Sequence, residues 1–367
     1  MSANCGSGGV EWHRPNSWPA PVQWTALLAL STAISQLWGA AGLPAALLLG
    51  PMIGGIAFGV NGLHLTVPRW PYLAAQAAIA AMISAGITPD IVATLSRNAL
   101  LFGVITVGTL LGAAALGWLM SRSRLIPGAT AVYGISPGAA TAMVVLAEAE
   151  GADTRLVAFM QYSRVLLVAL AAAVVARFWA GTPGGTHTAN VSWFAPVHWG
   201  NLAEVALLAA VGQQIARLLR LQAWAILGPM LLLSALHAGG WLTIDLPRWL
   251  LAAAYTLVGW YIGLGFRRDA LLHAGRALPA VAGATLCLMG CCGLLAWCLA
   301  TVAHVDALTA YLATSPGGLD SVAVIAASTP RVDLPFVLAL QSVRLLFVIG
   351  LAPLITRLIV RYSQHLR

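Results

Sequence analysis

Ser315-Pro316-Gly317-Gly318-Leu319-Asp320 interrupts an apolar run that extends from about 306 to 328. Proline has no N–H to donate, and its ring clashes with the preceding turn, so a continuous helix resists this stretch. The same break stands earlier, at Ser136-Pro137-Gly138 inside the run 127–149. Three more pairs keep the same order. Leu49-Gly50-Pro51-Met52 returns as Leu227-Gly228-Pro229-Met230, and Pro68-Arg69-Trp70 as Pro247-Arg248-Trp249. Gln161-Tyr162-Ser163-Arg164 returns as Gln341-Ser342-Val343-Arg344. The offset stays between 178 and 180 residues. Four matches in register define an internal repeat.

The repeat divides the chain into a polar N-terminal segment, 1–21, a first membrane unit, 22–180, and a second, 199–360. A Gly/Pro/Thr-rich linker, 181–198, joins the units, and a short tail, 361–367, follows. Each unit holds six apolar runs. They lie at about 22–38, 43–60, 72–89, 98–120, 127–149 and 156–179, then 200–216, 221–240, 249–266, 277–303, 306–328 and 334–356. Hydrophobic residues make up 60% of the chain and charged residues 8%. A soluble domain averages about 25% charged residues, so this composition requires lipid contact. Backbone in lipid must satisfy its own hydrogen bonds, which leaves helices or a closed barrel. The runs lack the two-residue alternation of barrel strands. An all-α polytopic membrane protein follows. No short apolar segment with a small-residue cleavage site precedes the first run, so no removable signal peptide is expected.

The chain has no lysine, and its net charge of +8 comes from 19 arginines. Their distribution orients the chain, because short cytoplasmic loops collect positive charge. If the two Ser-Pro-Gly segments are re-entrant hairpins, each unit crosses five times and the second unit is inverted. With the N-terminus inside, Arg97, Arg177, Arg248 and Arg331 face out, Arg164 and Arg344 lie within spans, and all others face the cytoplasm. If all twelve runs cross, the arginines divide almost evenly. Ten crossings plus two hairpins, with both termini cytoplasmic, is the expected topology. The fold class is an inverted-topology repeat of two five-helix units.

Inverted repeats with interrupted helices are a transporter arrangement. Beyond each break a helix is expected to resume, at Ala139–Ala149 and Leu319–Ala327. Its first turn exposes free N–H groups and the positive dipole end. Ser136, Gly138 and Ala139, with Ser315, Gly317 and Gly318, let an anion approach that backbone. Arg164 and Arg344 fall near the middle of their spans, where a charge is costly and needs a partner. Gln161 and Gln341 precede them by one turn on the same face. The arginines' partner is either a substrate carboxylate or the carbonyls that end the entering half-helix. Asp320 is either an ion-coupling carboxylate for a proton or sodium ion, or a helix cap. Tyr133 and Thr314 are further polar candidates, and Glu148, Glu150 and Asp153 are expected at a solvated exit.

These repeated motifs, with Leu146-Ala147-Glu148 and Gly151-Ala152-Asp153 after the first break, resemble the membrane AbrB duplication family over about 22–360. Its members are bacterial inner-membrane proteins, some also labelled ammonia monooxygenase. The resemblance implies a multi-pass inner-membrane protein and, at fold level, the anion and cation transporters with crossed, interrupted helices. The chain departs from the family at Ala142, where an acidic residue is frequent. It does not resemble the soluble DNA-binding regulator that shares the family's name.

Copper chemistry wants clustered imidazoles. His13, His64, His187, His198, His237, His273, His304 and His365 are scattered, with no pair four residues apart. Cys287, Cys291, Cys292 and Cys298 share one span without a histidine or carboxylate, and read as small apolar residues. No nucleophile–base pair stands out. The reading is therefore not an enzyme, with no cofactor, no metal and no nucleic acid. The expected function is secondary transport of a small organic anion or carboxylate between the hairpins. An element carrying them moves, elevator-fashion, against a scaffold made by the first two helices of each unit. The alternative is a ligand-sensing membrane regulator of gene expression. The expected partners are the bilayer, the substrate, a proton or sodium ion, and a second copy in a homodimer.

Overall fold

The computed structural model describes residues 18–41, 43, 45–63, 65–87, 93, 99–121, 126, 128–136, 143, 147–148, 150–179, 197–221, 224–275, 277–317, 319–329, 332–344, 347 and 351. The linker 181–196 and the tail 361–367 lie outside this set, as does most of the segment 1–21. Helix is the only regular secondary structure among the described residues. The first half contains α1 (Ala20–Ala40), α2 (Ala46–Val60), α3 (Arg69–Ala85), α4 (Ala99–Ser121), the short α5 (Gly128–Ile135) and α6 (Thr154–Trp179). The second contains α7 (Trp199–Leu218), α8 (Trp224–Ala238), α9 (Arg248–Leu264), α10 (Arg268–Ala274), α11 (Leu278–Ala303), α12 (Ala307–Thr314) and α13 (Leu319–Ala327). A last helix, α14 (Leu334–Arg344), carries the second Gln-x-x-Arg motif.

Among the described residues, three helices are long and apolar enough to cross a membrane: α4, α6 as far as Phe178, and α11. Their outer faces present leucine, valine and tryptophan. Leu100 is 84% exposed, and Leu294 and Trp297 are each 71% exposed. An aqueous surface does not keep such patches, whereas lipid covers them without cost. The protein fits a helical membrane protein on these grounds. The run expected from 43 starts as a helix only at Ala46, because Ala45 takes left-handed backbone with φ 59°. Pro68 and Pro247 stand at the N-caps of α3 and α9, so the repeated Pro-Arg-Trp motif is a helix start as well as a tryptophan site.

Two groups of helices form. α1, α2 and α3 pack with α7, α8 and α9, while α4, α5 and α6 pack with α11, α12 and α13. The third helix of each half therefore joins the group that was expected to contain only the first two. The reason is an exchange: α2 lies against α9 of the other half, and α8 lies against α3. Close approach drives this packing, since lipid supplies no hydrophobic force between helices. At the α7–α8 crossing, a Cβ on Gly212 would lie 2.8 Å from Gly228 C. At the α3–α8 crossing, Ser84 Oγ donates to Met230 O at 3.1 Å. Pro229 leaves the carbonyl four residues earlier, Ala225 O, without its helical donor. Gln213 Nε2 supplies one at 2.9 Å, and also donates to Leu73 O at 3.0 Å. Both proline-bearing helices end on a glycine with positive φ, Gly62 at 79° and Gly240 at 74°.

Candidate functional site

Each Ser-Pro-Gly break stops a short helix in the interior. α5 closes its last backbone bond from Ser136 N to Val132 O, and α12 from Ser315 N to Tyr311 O. The next residue in each case is proline. A proline at 137 removes the N–H that would pair with Tyr133 O, and one at 316 removes the partner of Leu312 O. Buried carbonyls do not stay empty without cost. Gln161 Nε2 donates to Tyr133 O at 2.8 Å, and Gln341 Nε2 donates to Leu312 O at 2.8 Å. The same two amides also reach Ser136 O, at 3.1 Å, and Ser315 O, at 3.3 Å. The glutamines thus supply the N–H groups that the prolines lack.

The arginines extend this cap. Arg164 Nη1 donates to Ile135 O at 3.2 Å and to Ser136 O at 2.8 Å. Arg344 Nη1 donates to Ser315 O, and its Nη2 to Gly317 O at 2.8 Å. A cation at a helix C-terminus opposes the negative end of the dipole, and free carbonyls there accept its N–H groups. Of the two partners left open for the arginines, the structure supplies the hairpin carbonyls. Ser136 Oγ and Ser315 Oγ turn back onto their own helices, to Val132 O at 2.8 Å and Leu312 O at 3.1 Å. Thr314 Oγ1 donates to Ala310 O at 3.0 Å and to Cys292 O at 3.2 Å.

The two clusters are brought together. Gly317 packs on α6 beside Val168, one helical turn beyond Arg164; a Cβ there would lie 3.0 Å from Val168 Cγ1. Arg344 Nη2 holds Gly317 O, and Gly317 lies against the helix that carries Arg164, so the second break brings the two arginine-bearing elements together, with buried Cys292 O bonded to neighbouring Thr314. Gln161 and Gln341 are completely buried, Arg164 is 4% exposed and Arg344 7%. These are the only buried charged side chains among the described residues. Gly138, Ala139, Gly318 and Ala142 lie outside the described residues, as does the side chain of Asp320, whose backbone lies in the first turn of α13. The resumed helix expected at Leu319–Ala327 is α13 with those bounds. Of its counterpart at Ala139–Ala149, Met143, Ala147 and Glu148 are described, and all three are helical.

Sequence reasoning overlooked how each hairpin is closed. Thr130, in the first turn of α5, accepts through Oγ1 from Asp153 N at 3.1 Å, and Asp153 directly precedes α6. Thr309, in the first turn of α12, accepts from Asp333 N at 3.1 Å, and Asp333 directly precedes α14. Asp153 Oδ1 then accepts from Leu156 N, and Asp333 Oδ1 from Phe336 N, as N-caps. Glu148 and Glu150 are exposed nearby, as the sequence suggested, but Asp153 is a cap. The signal was present as a threonine 23 or 24 residues before an aspartate in both halves.

No group of three or more histidine, cysteine or acidic side chains able to hold a metal occurs among the described residues. Comparison with known proteins adds the following. The family described as "Transition state regulatory protein AbrB" matches residues 47–360. A protein of Escherichia coli (strain K12) named "Putative regulator AbrB" is 46% identical over 342 residues, covering 93% of this chain and 98% of the relative. The "Uncharacterized protein YhjN" of Bacillus subtilis (strain 168) is 28% identical over 273 residues, or 70% of each chain.

Proposed function

The chain belongs to the AbrB family, and we propose that it is a secondary transporter that carries a small organic anion between its two Ser-Pro-Gly hairpins. One observation carries this reading: two guanidinium groups are buried together with no buried carboxylate among the described residues. Asp320, even when ionised, would balance only one of them. A buried charge without a counter-charge is strongly unfavourable. A bound anion is the counter-charge that removes the penalty, and its departure restores it. The start of α13, with small Gly317 before it, adds backbone N–H groups and a positive dipole end.

In this reading ten helices cross, the two hairpins re-enter, and both termini are cytoplasmic. The Thr130–Asp153 and Thr309–Asp333 bonds support re-entry, because each segment returns to the end from which it left. The helix group that carries the hairpins moves against the group of α1–α3 and α7–α9. The substrate is moved without chemical change, and Asp320 couples transport to a proton or sodium ion. A homodimer would anchor the static group.

The names of the family and of the Escherichia coli relative favour a second reading, a membrane regulator that senses the same anion. Reconstitution separates the two. Proteoliposomes loaded with an unlabelled carboxylate should draw in the labelled one by counterflow. Arg164→Ala or Arg344→Ala should stop this exchange in folded protein. Saturable binding with no counterflow would transfer the function to the regulator. Unchanged exchange in both variants would remove the arginines from the site.

A further inference from the structure

The two glutamines have a second feature in common. Each is completely buried, and each leaves its side-chain oxygen, Oε1, without any hydrogen-bond partner. Their orientation is not arbitrary. Each Nε2 is held by two carbonyl oxygens, so only the nitrogen can face them and the oxygen must point elsewhere. Gln161 shares Ser136 O with Arg164, and Gln341 shares Ser315 O with Arg344. Both oxygens therefore sit beside the broken turns, next to the guanidinium groups. Arg164 Nε is a third buried atom there with no partner, and it is a donor.

This set of unmet groups specifies a ligand more closely than charge alone. Two amide oxygens ask for hydrogen-bond donors, and Arg164 Nε asks for an acceptor. A metal cation could satisfy amide oxygens, but two adjacent guanidinium groups repel it. A simple carboxylate or a sulfate ion answers the arginine and leaves both oxygens empty. From these observations we infer that the ligand is a small carboxylate bearing its own hydroxyl groups, which donate to Gln161 Oε1 and Gln341 Oε1 while the carboxylate faces Arg164. The inference rests on the anion site proposed above and adds the class of anion. A site built to accept from a hydroxyl discriminates strongly against the analogue that lacks it.

The test compares matched pairs on the purified full-length protein: glycerate against propionate, and tartrate against succinate, with sulfate and sodium chloride as further ligands. Binding is read by thermal shift, since a ligand of the folded state raises apparent stability. At least one hydroxy acid should bind about tenfold or more tightly than its deoxy partner. In Gln341→Met this preference should shrink towards unity. If that variant does not fold, the wild-type pairs decide alone. Equal binding within both pairs overturns the hydroxyl requirement, with water occupying the amide oxygens, and leaves the anion site standing. No stabilisation by any of these anions overturns the anion site and this inference with it.

Discussion

Gln341 Nε2 and Leu312 O, 29 residues apart, form the hydrogen bond that Pro316 prevents the backbone from making. Gln161 and Tyr133 O do the same in the first half, for Pro137. The broken helix is thus a mended one. Proline stops the helix inside the protein, the glutamine restores the missing donor, and the arginine one turn later takes the carbonyls that remain. This arrangement lets irregular backbone exist where no water can solvate it.

Removing one mend takes an amide donor from two buried carbonyls, Tyr133 O and Ser136 O in the first half or Leu312 O and Ser315 O in the second. Gln341→Met and Gln161→Met should each lower stability by about 0.5–1.5 kcal/mol, the net contribution of a buried hydrogen bond, because other donors remain, Arg164 on Ser136 O and Ser315 Oγ on Leu312 O. Thermal melts in detergent would measure this. A surface change, Gln23→Met, should move the melting temperature little, because Gln23 caps only an exposed carbonyl, Trp18 O.

Lysine should not replace either arginine. Arg344 binds two different carbonyls through separate nitrogens of its fork, which a single ammonium cannot span in the same way. Arg344→Lys and Arg164→Lys should keep the positive charge and still lose uptake by about tenfold or more, as when a buried charged partner is truncated. Transport assays normalised to monodisperse protein would report it.

Gly317 should tolerate no side chain. A Cβ would stand 2.9 Å from Val322 Cγ2 and 3.0 Å from Val168 Cγ1, so Gly317→Val must push the second hairpin off α6. Overpacking of this kind costs about 1–3 kcal/mol, and anion binding should weaken with it. Gly283, with open space around it, is the control. Gly283→Val should leave anion binding unchanged in the same thermal-shift titration.

The hairpin closures make a topological prediction. With the native cysteines replaced, Glu148→Cys should label from the same membrane side as Arg122→Cys, and Thr329→Cys from the same side as His304→Cys. Labelling from opposite sides in either pair would mean that the segment crosses, and the symmetry between the halves would then fail. Thr309→Val, which removes the acceptor for Asp333 N, should cost about 1 kcal/mol.

What could be read from the chain alone was periodic or compositional. The apolar runs locate α4, α6 and α11, and a repeat offset of 178 to 180 residues pairs Pro137 with Pro316 and Arg164 with Arg344. Proline's missing N–H also places a break wherever it falls in such a run, because that effect is local to the residue. The partner of a buried group is not local. Nothing in the order of residues says that Gln341 Nε2 reaches Leu312 O rather than a ligand, or that Thr309 meets Asp333 N. Nor does it say that Gly317 lies against Val168, in the other half of the chain. Those pairings depend on which helices the small residues allow to approach, and packing decides this over the whole chain at once. Only the folded arrangement therefore showed that each glutamine nitrogen is occupied and its oxygen is not.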